Sequence, residues 1–367
     1  MPYAHITGWG MAVPKRVLTN DDLSKMVDTN DQWIRERTGI RERRIAIEGQ
    51  TTSVLGLEAS IKALQIANLA PTELDLIICA TSSPDYIFPS TACIIQDRLG
   101  ASKAGGFDLF AACTGFIYAM NMGAQAIRSG SAKNILVIGA ETLSRYIDWT
   151  DRNTCILFGD GAGAFVLQAS EVPGGVMSAV LHSDGSGGDL LSIPGGGSAH
   201  PASERTVQAG MHFIHMDGKE VFRFATRVMV QATDEATKAI GWGVKDLDLI
   251  IPHQANSRII DAAARGLKLP IEKFMVNVEC YGNTSTASIP IATVEAAHSG
   301  RLKAGDKVVF VGFGAGLTWG AIAAEWTGVV MPVHRPVHPE WYRPWARVRS
   351  ILLRLWRWIE GILSGRD

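Results

Sequence analysis

Leu74-Asp75-Leu76-Ile77-Ile78 decides the fold of this chain, because it recurs as Leu247-Asp248-Leu249-Ile250-Ile251, 173 residues later. Short apolar runs of this kind are typical of buried strands. Each copy follows an alanine-rich stretch with helical character, 54–70 before the first copy and 221–240 before the second. Because the surroundings repeat together with the strand, the match indicates duplication of a larger unit.

The repeated unit continues beyond the strand. Each copy is followed by a turn of small residues that opens another helix, near Cys113 in the first half and near Asn283 in the second. A further buried-strand run then ends in glycine, at 134–139 and at 307–312. Short apolar runs that alternate with helical stretches predict βαβ units and mostly parallel sheets covered on both faces. The predicted fold class is therefore α/β.

Two similar halves follow from this repeat, at 1–173 and 174–330. We expect them to pack as one duplicated body, since the chain is long enough for two domain-sized units. If a pseudo-twofold axis relates the halves, Cys113 and Asn283 occupy equivalent helix N-termini and converge on one pocket. Residues 331–367 are instead rich in Pro, Trp and Arg, which indicates a separate extension.

Composition and charge restrict the class of protein. The 367 residues are 47% hydrophobic and 19% charged, which is typical of a globular chain. A net charge of −1 gives no bulk attraction for nucleic acid. The five cysteines are odd in number and lack a CxxC pair, which argues against a disulfide framework and a zinc site. With no signal peptide and no long apolar span, the expected compartment is the cytoplasm.

Cys113 is the first candidate for chemistry. It lies in 107–116, where an apolar strand gives way to small residues and then to a helix. A thiol at a helix N-terminus meets the positive end of the helix dipole and unpaired N–H groups, which lower its pKa and enrich the thiolate. The alternative is a small buried hydrophobic residue. For the other cysteines we predict this structural role: Cys79, Cys93, Cys155 and Cys280.

His253 and Asn283 are the candidate partners of this cysteine. His253 follows the second Leu-Asp-Leu-Ile-Ile strand, at the carboxyl end where open α/β sheets bind their ligands. Asn283 opens a run that caps and starts a helix. The alternatives are a structural histidine and a plain helix cap. In the functional interpretation, a neutral amide beside a histidine stabilises a negative oxygen without titrating.

Two glycine-rich stretches, 159–163 and 312–316, resemble nucleotide-binding loops only superficially. The chain has no GxxxxGK[ST] motif, and no acidic residue follows a first βαβ glycine fingerprint as a dinucleotide site requires. We therefore expect these glycines to allow close backbone packing, or to turn backbone N–H groups toward the pocket.

Five motifs carry a family resemblance when they are taken together. They are Ala112-Cys113-Thr114-Gly115-Phe116, Phe158-Gly159-Asp160-Gly161-Ala162-Gly163-Ala164, Pro252-His253-Gln254-Ala255-Asn256, Gly282-Asn283-Thr284-Ser285 and Phe313-Gly314-Ala315-Gly316-Leu317-Thr318-Trp319-Gly320. Over about residues 3–328 the chain resembles the β-ketoacyl-[acyl-carrier-protein] synthase III family. The resemblance implies the thiolase-like fold, with two pseudo-symmetric βαβ halves and mixed, mostly parallel sheets in a layered α/β/α/β/α body.

The resemblance also implies an acyltransferase that initiates fatty-acid synthesis. Cys113 attacks an acyl-CoA primer, and malonyl-[acyl-carrier protein] then binds and loses CO2 to give a carbanion that attacks the acyl-Cys113 thioester. His253 and Asn283 hydrogen-bond the malonyl thioester oxygen. The backbone N–H groups of Cys113 and Ala315 hold the tetrahedral oxyanion. The resemblance implies no metal and no cofactor, because the CoA thioesters are substrates.

A CoA site carries over residue by residue from the same resemblance. Trp33 and Arg152 resemble the pair that sandwiches the adenine, and the chemistry agrees because tryptophan offers a stacking face and arginine binds phosphate. The alternative is that 31–39 is only a charged helix end. The full set comprises Thr29, Trp33, Arg37, Arg152, Gly218 and Asn256.

Two further surfaces are implied by the resemblance. Arg223, Arg258 and Arg265 match basic positions on the face that docks the carrier protein in the family. A neighbouring position that is basic in the family is occupied by Gly266 in this chain. Phe88 aligns with a residue that closes the primer pocket across the interface of a homodimer. A bulky aromatic there favours short primers, or it packs at the interface without affecting chain length.

The extension has a helical pattern that the resemblance does not explain, since family members commonly end soon after the strand at Trp319-Gly320. Residues 345–363 predict a basic amphipathic helix at 100° per residue. We expect it to lie on an anionic membrane surface or to bind a partner. Docking on its own body or on a dimer mate is the alternative. Its apolar face comprises Trp345, Val348, Leu352, Leu355, Trp356, Ile359 and Leu363, and its basic side Arg347, Arg349, Arg354 and Arg357.

Other enzymes of the same fold share a Cys-His-Asn set, so a starter-unit condensing or acyl-transfer enzyme of secondary metabolism is the alternative function. Asn283 argues against elongating synthases, which use a second histidine, and against thiolases, which use a second cysteine. Outside the condensing enzymes, the alternatives are a thioester hydrolase and a membrane-recruited scaffold. The complete set of Cys113, His253 and Asn283 argues against a pure scaffold.

Overall fold

A computed structural model of the protein describes residues 1–328 and 336–363. Within them the chain forms strands β1–β13 and α-helices α1–α11, joined by loops and short 3₁₀ turns. The strands are β1 Tyr3–Ala12, β2 Val17–Thr19, β3 Glu42–Arg44, β4 Leu76–Ala80, β5 Gly105–Leu109, β6 Asn134–Glu141, β7 Gly161–Ser170, β8 Gly175–Ser183, β9 Leu191–Ser192, β10 His215–Met216, β11 Leu249–Pro252, β12 Lys307–Gly314 and β13 Thr318–Glu325. The helices are α1 Asn20–Leu23, α2 Asp31–Thr38, α3 Thr52–Ile66, α4 Thr91–Leu99, α5 Gly115–Arg128, α6 Glu204–Gln208, α7 Gly218–Lys238, α8 Ser257–Leu267, α9 Val278–Tyr281, α10 Ser288–His298 and α11 Tyr342–Leu363.

Two larger sheets repeat the same strand order. The N-terminal sheet runs β1-β7-β6-β4-β5, and the C-terminal sheet runs β8-β13-β12-β11. A parallel bridge between Ile250 and Phe274 stands where a counterpart of β5 is expected. The common order confirms two pseudo-symmetric halves. The predicted boundary between the second half and the extension, at 330–331, lies outside the described residues.

The register of the two halves agrees at the level of single hydrogen bonds. In the first half the Asp75 N–H donates to the Asn134 carbonyl at 2.9 Å, and in the second the Asp248 N–H donates to the Lys307 carbonyl at 2.9 Å. The side-chain carboxylates of the same aspartates accept from Asn134 N and Lys307 N. Both pairs are 173 residues apart, so the offset read from the sequence is also the structural offset.

Helices and sheets stack in five layers, as the fold class predicts. α3 and α4 cover the outer face of the N-terminal sheet, α5 and α10 lie between the sheets, and α7 and α8 cover the outer face of the C-terminal sheet. In the middle layer, Phe165 of β7 packs on Phe116 of α5 and Phe310 of β12, with ring centroids 5.0 Å and 6.0 Å apart. Cys113 precedes α5 and Asn283 precedes α10 in the chain. The site therefore lies at the junction of the two halves.

The structure corrects the predicted proportion of parallel strands, because the two larger sheets contain more antiparallel than parallel pairs. β4 pairs in parallel with β5 and β6, and β11 with β12. The pairs β1–β7, β6–β7, β12–β13 and β13–β8 are antiparallel. No long helix joins β6 to β7 or β12 to β13, so these neighbours return antiparallel. The start of β7 lies within the glycine-rich run at 159–163, for which the sequence predicted no strand.

Those glycines do allow close packing, as predicted. A Cβ added at Gly163 would lie 2.5 Å from the Pro290 side chain of α10, and one added at Gly161 would lie 2.8 Å from the Ile291 side chain. Both separations are shorter than van der Waals contact allows. Only glycine therefore lets β7 and α10 come this close.

Candidate active site

Cys113 lies at the junction of β5 and α5. A single 3₁₀ turn spans Ala112–Thr114, and α5 begins at Gly115. Ala112 has a φ of 45°, in the left-handed region that residues with side chains rarely occupy, and it turns the chain sharply before the cysteine. The Cys113 thiol, which is 6% exposed, therefore sits at the N-terminal end of α5.

The expected lowering of the Cys113 pKa is wrong in this structure. Burial raises the pKa of the thiol to about 12, and the nearby Glu141 carboxyl acts in the same direction. The Ser285 hydroxyl and the backbone N–H of Cys113 lower the pKa by hydrogen bonding, but by less than burial raises it. Burial removes water from the thiolate, and the end of one helix does not replace that solvation. Without substrate the thiol is protonated at neutral pH.

Glu141 is a buried carboxyl beside the site that sequence analysis missed. It lies at the end of β6, and its oxygens accept hydrogen bonds from Ser82 N at 3.1 Å, Ser285 Oγ at 3.0 Å and Thr286 Oγ1 at 3.1 Å. Burial raises the pKa of Glu141 although these donors oppose it. The only signal in the sequence is an acidic residue just beyond the run that ends at Gly139. The carboxyl connects the two halves at their junction.

His253 is held at the carboxyl end of β11. Its backbone N–H donates to the Val311 carbonyl at 2.8 Å, and its Nδ1 lies 2.6 Å from Ser288 Oγ. The ring packs edge-on against Phe313, with centroids 5.2 Å apart. Burial lowers the pKa of His253 to about 3, so the imidazole is neutral. A Ser288 hydroxyl that donates to Nδ1 keeps the ring proton on Nε2, which is then a donor for a ligand.

Asn283 is fixed by its own backbone and by one side-chain hydrogen bond. Its N–H donates to the Leu157 carbonyl at 2.8 Å, and its carbonyl accepts from Gly159 N at 3.0 Å. The side-chain Oδ1 accepts from Ser285 N at 2.8 Å. Because the amide oxygen is engaged, the Nδ2 hydrogens are the donors that a ligand can use.

The structure corrects the predicted symmetry of the site. Ser285 has a φ of 50°, matching the 45° of Ala112, and these two residues are 173 positions apart. The counterpart of Cys113 is therefore Thr286, and Asn283 lies three residues earlier in the repeat. The prediction that Cys113 and Asn283 occupy equivalent positions is wrong, because the spacing from the site to the strand glycine differs between the halves. The prediction that they converge is confirmed, since both line one cavity.

Two cavities meet at Cys113. One, of about 80 Å³, brings together Cys113, His253 and Asn283 with Gly218 and Asn256. The other, of about 210 Å³, also reaches Cys113 and is mostly apolar. Its lining includes Phe110, Leu143, Phe158, Leu191, Ile193, Ile214 and Ala315. We name the first the polar cavity for its two donors, His253 and Asn283, since much of its remaining lining is apolar as well. Apart from Cys113 and Ala315, the residues of the apolar cavity were not found from the sequence.

Ala315 lies in the turn between β12 and β13 and lines the apolar cavity together with Cys113. Thr318 connects this turn to the cysteine loop, because its Oγ1 lies 2.9 Å from Ala315 O and 3.0 Å from Thr114 Oγ1. A Cβ on Gly314 would lie 2.7 Å from Cys113 N, so only glycine fits there. The two backbone segments predicted to hold an oxyanion are therefore held close to each other.

The predicted CoA residues form a chain from the surface to the polar cavity. The Arg152 guanidinium lies 4.2 Å from the centroid of the Trp33 ring, and Arg37 lies 5.3 Å from it. Asn256 Nδ2 donates to the Arg37 carbonyl at 3.0 Å. Thr29 Oγ1 is buried and has no hydrogen-bond partner among residues 1–328 and 336–363. An adenine between Trp33 and Arg152 needs roughly 7 Å, so Arg152 must move outward for it to bind.

The three predicted docking arginines are exposed on the helices beside the polar cavity. Arg223 of α7 pairs with Glu220 at 2.8 Å, and Arg258 of α8 lies over the Phe222 ring at 5.4 Å. Arg265 lies in the last turn of α8. At Gly266 an added Cβ would lie 2.6 Å from the Val230 side chain, so close packing of α8 on α7 accounts for the missing basic residue.

Phe88 is 84% exposed and lines neither of the cavities that contain Cys113. It lies near other exposed apolar side chains, Ile87 and Tyr86. Phe110 is also exposed, although it lines the apolar cavity. Within a single chain, the apolar cavity is thus bordered by Phe110 and not by Phe88.

Fold and site together define a thiolase-like condensing enzyme. Residues 107–185 match the sequence model of 3-oxoacyl-[acyl-carrier-protein] synthase III, and residues 237–326 match that of its C-terminal region. The β-ketoacyl-[acyl-carrier-protein] synthase III of Desulfitobacterium hafniense is 56% identical over 322 residues, which are 88% of this chain and 97% of the relative. The chain therefore belongs to the β-ketoacyl-[acyl-carrier-protein] synthase III family.

Solved structures agree with this assignment. The crystal structure of 3-oxoacyl-[acyl-carrier-protein] synthase III from Aquifex aeolicus is 47% identical, with a TM-score of 0.82 over 88% of this chain and 100% of that one. The priming β-ketosynthase of the R1128 polyketide pathway is 37% identical, with a TM-score of 0.83 over 89% and 97% of the two chains. The name of this second protein corresponds to the alternative function, a starter-unit condensing enzyme, but its sequence identity to this chain is lower than that of the first.

Proposed function

We propose that Cys113, His253 and Asn283 carry out in this chain the reaction of its family. Enzymes of the family condense an acyl-CoA primer with malonyl-[acyl-carrier protein] and so initiate fatty-acid synthesis. One observation supports the residue assignment above all others: Cys113 lines both an apolar cavity and a polar cavity that contains His253 and Asn283. An acyl chain on the sulfur then has an apolar compartment, while a second thioester occupies the polar one.

In the first half-reaction, the Cys113 sulfur bonds to the carbonyl carbon of the primer and the bond from that carbon to the sulfur of CoA breaks. The thiol loses its proton, and the departing CoA thiolate gains one. The tetrahedral oxyanion accepts hydrogen bonds from the backbone N–H groups of Cys113 and Ala315. The support is that the two backbone segments are held together through Thr318.

In the second half-reaction, the malonyl group loses CO2 and its thioester oxygen becomes an enolate oxygen. Nε2 of His253 and Nδ2 of Asn283 donate to that oxygen. Both donors are neutral, since burial lowers the pKa of His253 to about 3 and an amide does not titrate. The carbanion then bonds to the acyl carbon, the bond from that carbon to Cys113 breaks, and the departing thiolate takes up a proton, which restores the thiol.

CoA enters along the chain of residues from Trp33 to the polar cavity. The adenine inserts between Trp33 and Arg152, while Arg37 and Thr29 contact the nucleotide. Gly218 and Asn256 contact pantetheine, and the support is that both line the cavity with Cys113. The acyl-carrier protein docks on Arg223, Arg258 and Arg265, whose positive charges suit an acidic partner. No step calls for a metal or another cofactor.

The chain acts as a homodimer in this proposal. β5 is an edge strand of the N-terminal sheet, and both Phe107 within it and Phe110 just after it are exposed. An exposed apolar edge strand invites pairing with a second chain. Phe88 of the second subunit would then cover the apolar cavity next to Phe110 and set primer length. We place the enzyme in the cytoplasm, since its cysteines are free.

The proposal is tested with purified protein, a labelled set of acyl-CoA primers and malonyl-[acyl-carrier protein]. We expect intact-mass analysis to show acyl-Cys113 and chromatography to show a ketoacyl product. Cys113→Ala should lose both. Full activity in Cys113→Ala, or absence of product with every primer, would disprove the assignment.

The same assay addresses the starter-unit enzyme of secondary metabolism, the alternative for which the 37% identical priming ketosynthase is the supporting observation. Preference for a specialised primer, and for a carrier protein other than that of fatty-acid synthesis, would favour this alternative. Preference for short primers with the fatty-acid carrier protein would exclude it.

A further inference from the structure

Helix α11 is attached to the body by a narrow strip. It spans 22 residues, Tyr342–Leu363, which corresponds to a length of about 33 Å. Ala346 is its one buried residue and packs against Gly100, where an added Cβ would lie 3.1 Å from the alanine. One turn further on, Ser350 Oγ donates to Asp97 Oδ2 at 3.1 Å. Residues 351–363 carry no buried side chain.

The face opposite this strip is apolar and exposed. At 100° per residue, Val348, Leu352, Leu355 and Ile359 lie on the side turned away from Ala346. Leu352 is 58% exposed and Ile359 is 41% exposed. The body contacts the other side of the helix and leaves these side chains exposed, although Val348 also borders the cleft between α11 and α4. Neighbouring exposed apolar side chains on one helix face mark a site of interaction.

Charged and aromatic residues are arranged around that face in a definite order. Trp345 and Trp356 lie at one border, and Trp358 lies at the other. The helix carries five arginines and a single acidic residue, Glu360, although the whole chain has a net charge of −1. Arg343, Arg347 and Arg354 lie between Trp358 and the side of the helix that contacts the body. These arginines also line a cleft of about 960 Å³ between α11 and α4, together with Arg98, Asp97 and Glu340.

We propose that α11 binds the surface of a bilayer that contains anionic phospholipids, with its axis parallel to the membrane. Apolar side chains enter the acyl boundary, tryptophans lie at the headgroup level, and arginines pair with lipid phosphates. Within the described residues no helix is long and apolar enough to cross a bilayer, and α11 itself carries five arginines. A second copy of this chain fits the face less well, because a twofold contact between two α11 helices would bring the arginines of one copy close to those of the other.

The position of α11 keeps the active site accessible. Asp97 and Gly100 lie at the C-terminal end of α4, next to the start of β5, whereas Cys113 follows the end of β5. The helix is therefore attached at the end of the sheet that is remote from the cavities. An enzyme bound through α11 still presents the CoA and carrier-protein surfaces to solution.

The test is co-sedimentation of the full chain with vesicles. One set contains phosphatidylcholine alone, and the other contains equal amounts of phosphatidylcholine and phosphatidylglycerol. We expect binding to the anionic set only, and weaker binding at high salt. The double variant Leu352→Glu/Ile359→Glu should require at least about tenfold more lipid. Arg347→Glu/Arg354→Glu should lose about tenfold as well, because each arginine near an anionic surface contributes to binding.

A matched control separates this face from the effect of any added charge. Val172, 66% exposed in the loop between β7 and β8, receives the same change as Val172→Glu and should bind like the unmodified chain. Retained condensing activity without lipid shows that each variant is folded. The proposal is overturned if the unmodified chain does not sediment with anionic vesicles, or if the Leu352→Glu/Ile359→Glu variant binds unchanged. It is equally overturned if that variant dissociates an oligomer that forms without lipid, since the face is then an interface between copies.

Discussion

Cys113 in the N-terminal half and Thr286 in the C-terminal half occupy the same place in two copies of one fold, two residues before α5 and α10. The thiol of Cys113 lines both cavities. The hydroxyl of Thr286 is buried and lies 3.0 Å from Ala80 O and 3.1 Å from Glu141 Oε1. The same sharp turn therefore presents the proposed nucleophile in one half and anchors the junction of the halves in the other.

Under the proposed function, this difference divides a two-step reaction between the two halves of the fold. In the proposed reaction, the N-terminal half supplies the atom that forms the covalent intermediate. The C-terminal half supplies His253 and Asn283, whose neutral donors are proposed to bind the oxygen that becomes negative in the second step. Four changes test this division, beginning with the one expected to have the largest effect.

Asn283→Ala should slow condensation by roughly 10²–10³-fold, because one donor to the enolate oxygen is lost. Acylation of Cys113 by acyl-CoA should continue, since that step uses the backbone donors of the N-terminal turn and Ala315. Single-turnover mass analysis of acyl-Cys113, followed by addition of malonyl-[acyl-carrier protein], separates the two steps. Equal loss of both steps would contradict the division of labour between the halves.

Gly314→Ala should reduce acylation by about 10²-fold, because a misplacement near 1 Å is enough to cost that much. The new Cβ would lie 2.7 Å from Cys113 N and must push the cysteine turn away. Gly312→Ala on the same strand is the matched control, since its Cβ meets Ile289 at an ordinary 3.5 Å. Rates of acyl-Cys113 formation compare the two. Similar rates would show that the contact does not position the nucleophile.

The pH dependence of Cys113 alkylation tests whether burial or the helix N-terminus governs the thiol. Burial raises its pKa to about 12, so the thiolate fraction at pH 7 is small and increases as pH rises toward that pKa. We expect the rate of iodoacetamide alkylation to increase about tenfold per pH unit from neutrality upward. Peptide mass analysis distinguishes Cys113 from the exposed Cys93. A rate independent of pH above about 6 would show that the helix N-terminus dominates.

Ser288→Ala should have the smallest effect, a loss of about tenfold in condensation, because a residue behind the donor orients it without touching substrate. His253 Nδ1 would lose its partner at 2.6 Å, and the ring would no longer be restricted to the tautomer with a proton on Nε2. The KM for acyl-CoA should stay unchanged. In a His253→Ala background the Ser288 change should have no further effect. An additive loss would show that Ser288 acts independently of His253.

Much of the fold was predictable because it rests on local patterns. The repeat around Leu74 and Leu247 indicated two halves, and the structure shows the same 173-residue offset in its hydrogen bonds. The antiparallel strand β7 was missed because its glycines, which pack on Pro290, look like a loop when the neighbouring helix is not seen. The helix in the extension was predictable from its periodicity.

The candidate residues of the site were predictable from the sequence, but the side chains that surround them were less so. Cys113, His253 and Asn283 each carry a recognisable motif. Glu141, Ser285 and Ser288 have no motif that marks them, because their roles depend on which segments fold against them. The lining of the apolar cavity comes from stretches as distant as Phe110 and Ile214, and no spacing rule connects them.

The sequence by itself determined the duplicated alternation of strands and helices, the candidate nucleophile, and an amphipathic helix with arginines beside its apolar face. These are properties of residue chemistry and of short periods along the chain. The tertiary structure alone decided that Thr286 is the counterpart of Cys113, that burial raises the pKa of the thiol, and that the apolar face of α11 points away from the body. Each of these depends on desolvation or on contacts between distant segments, which the order of residues does not contain.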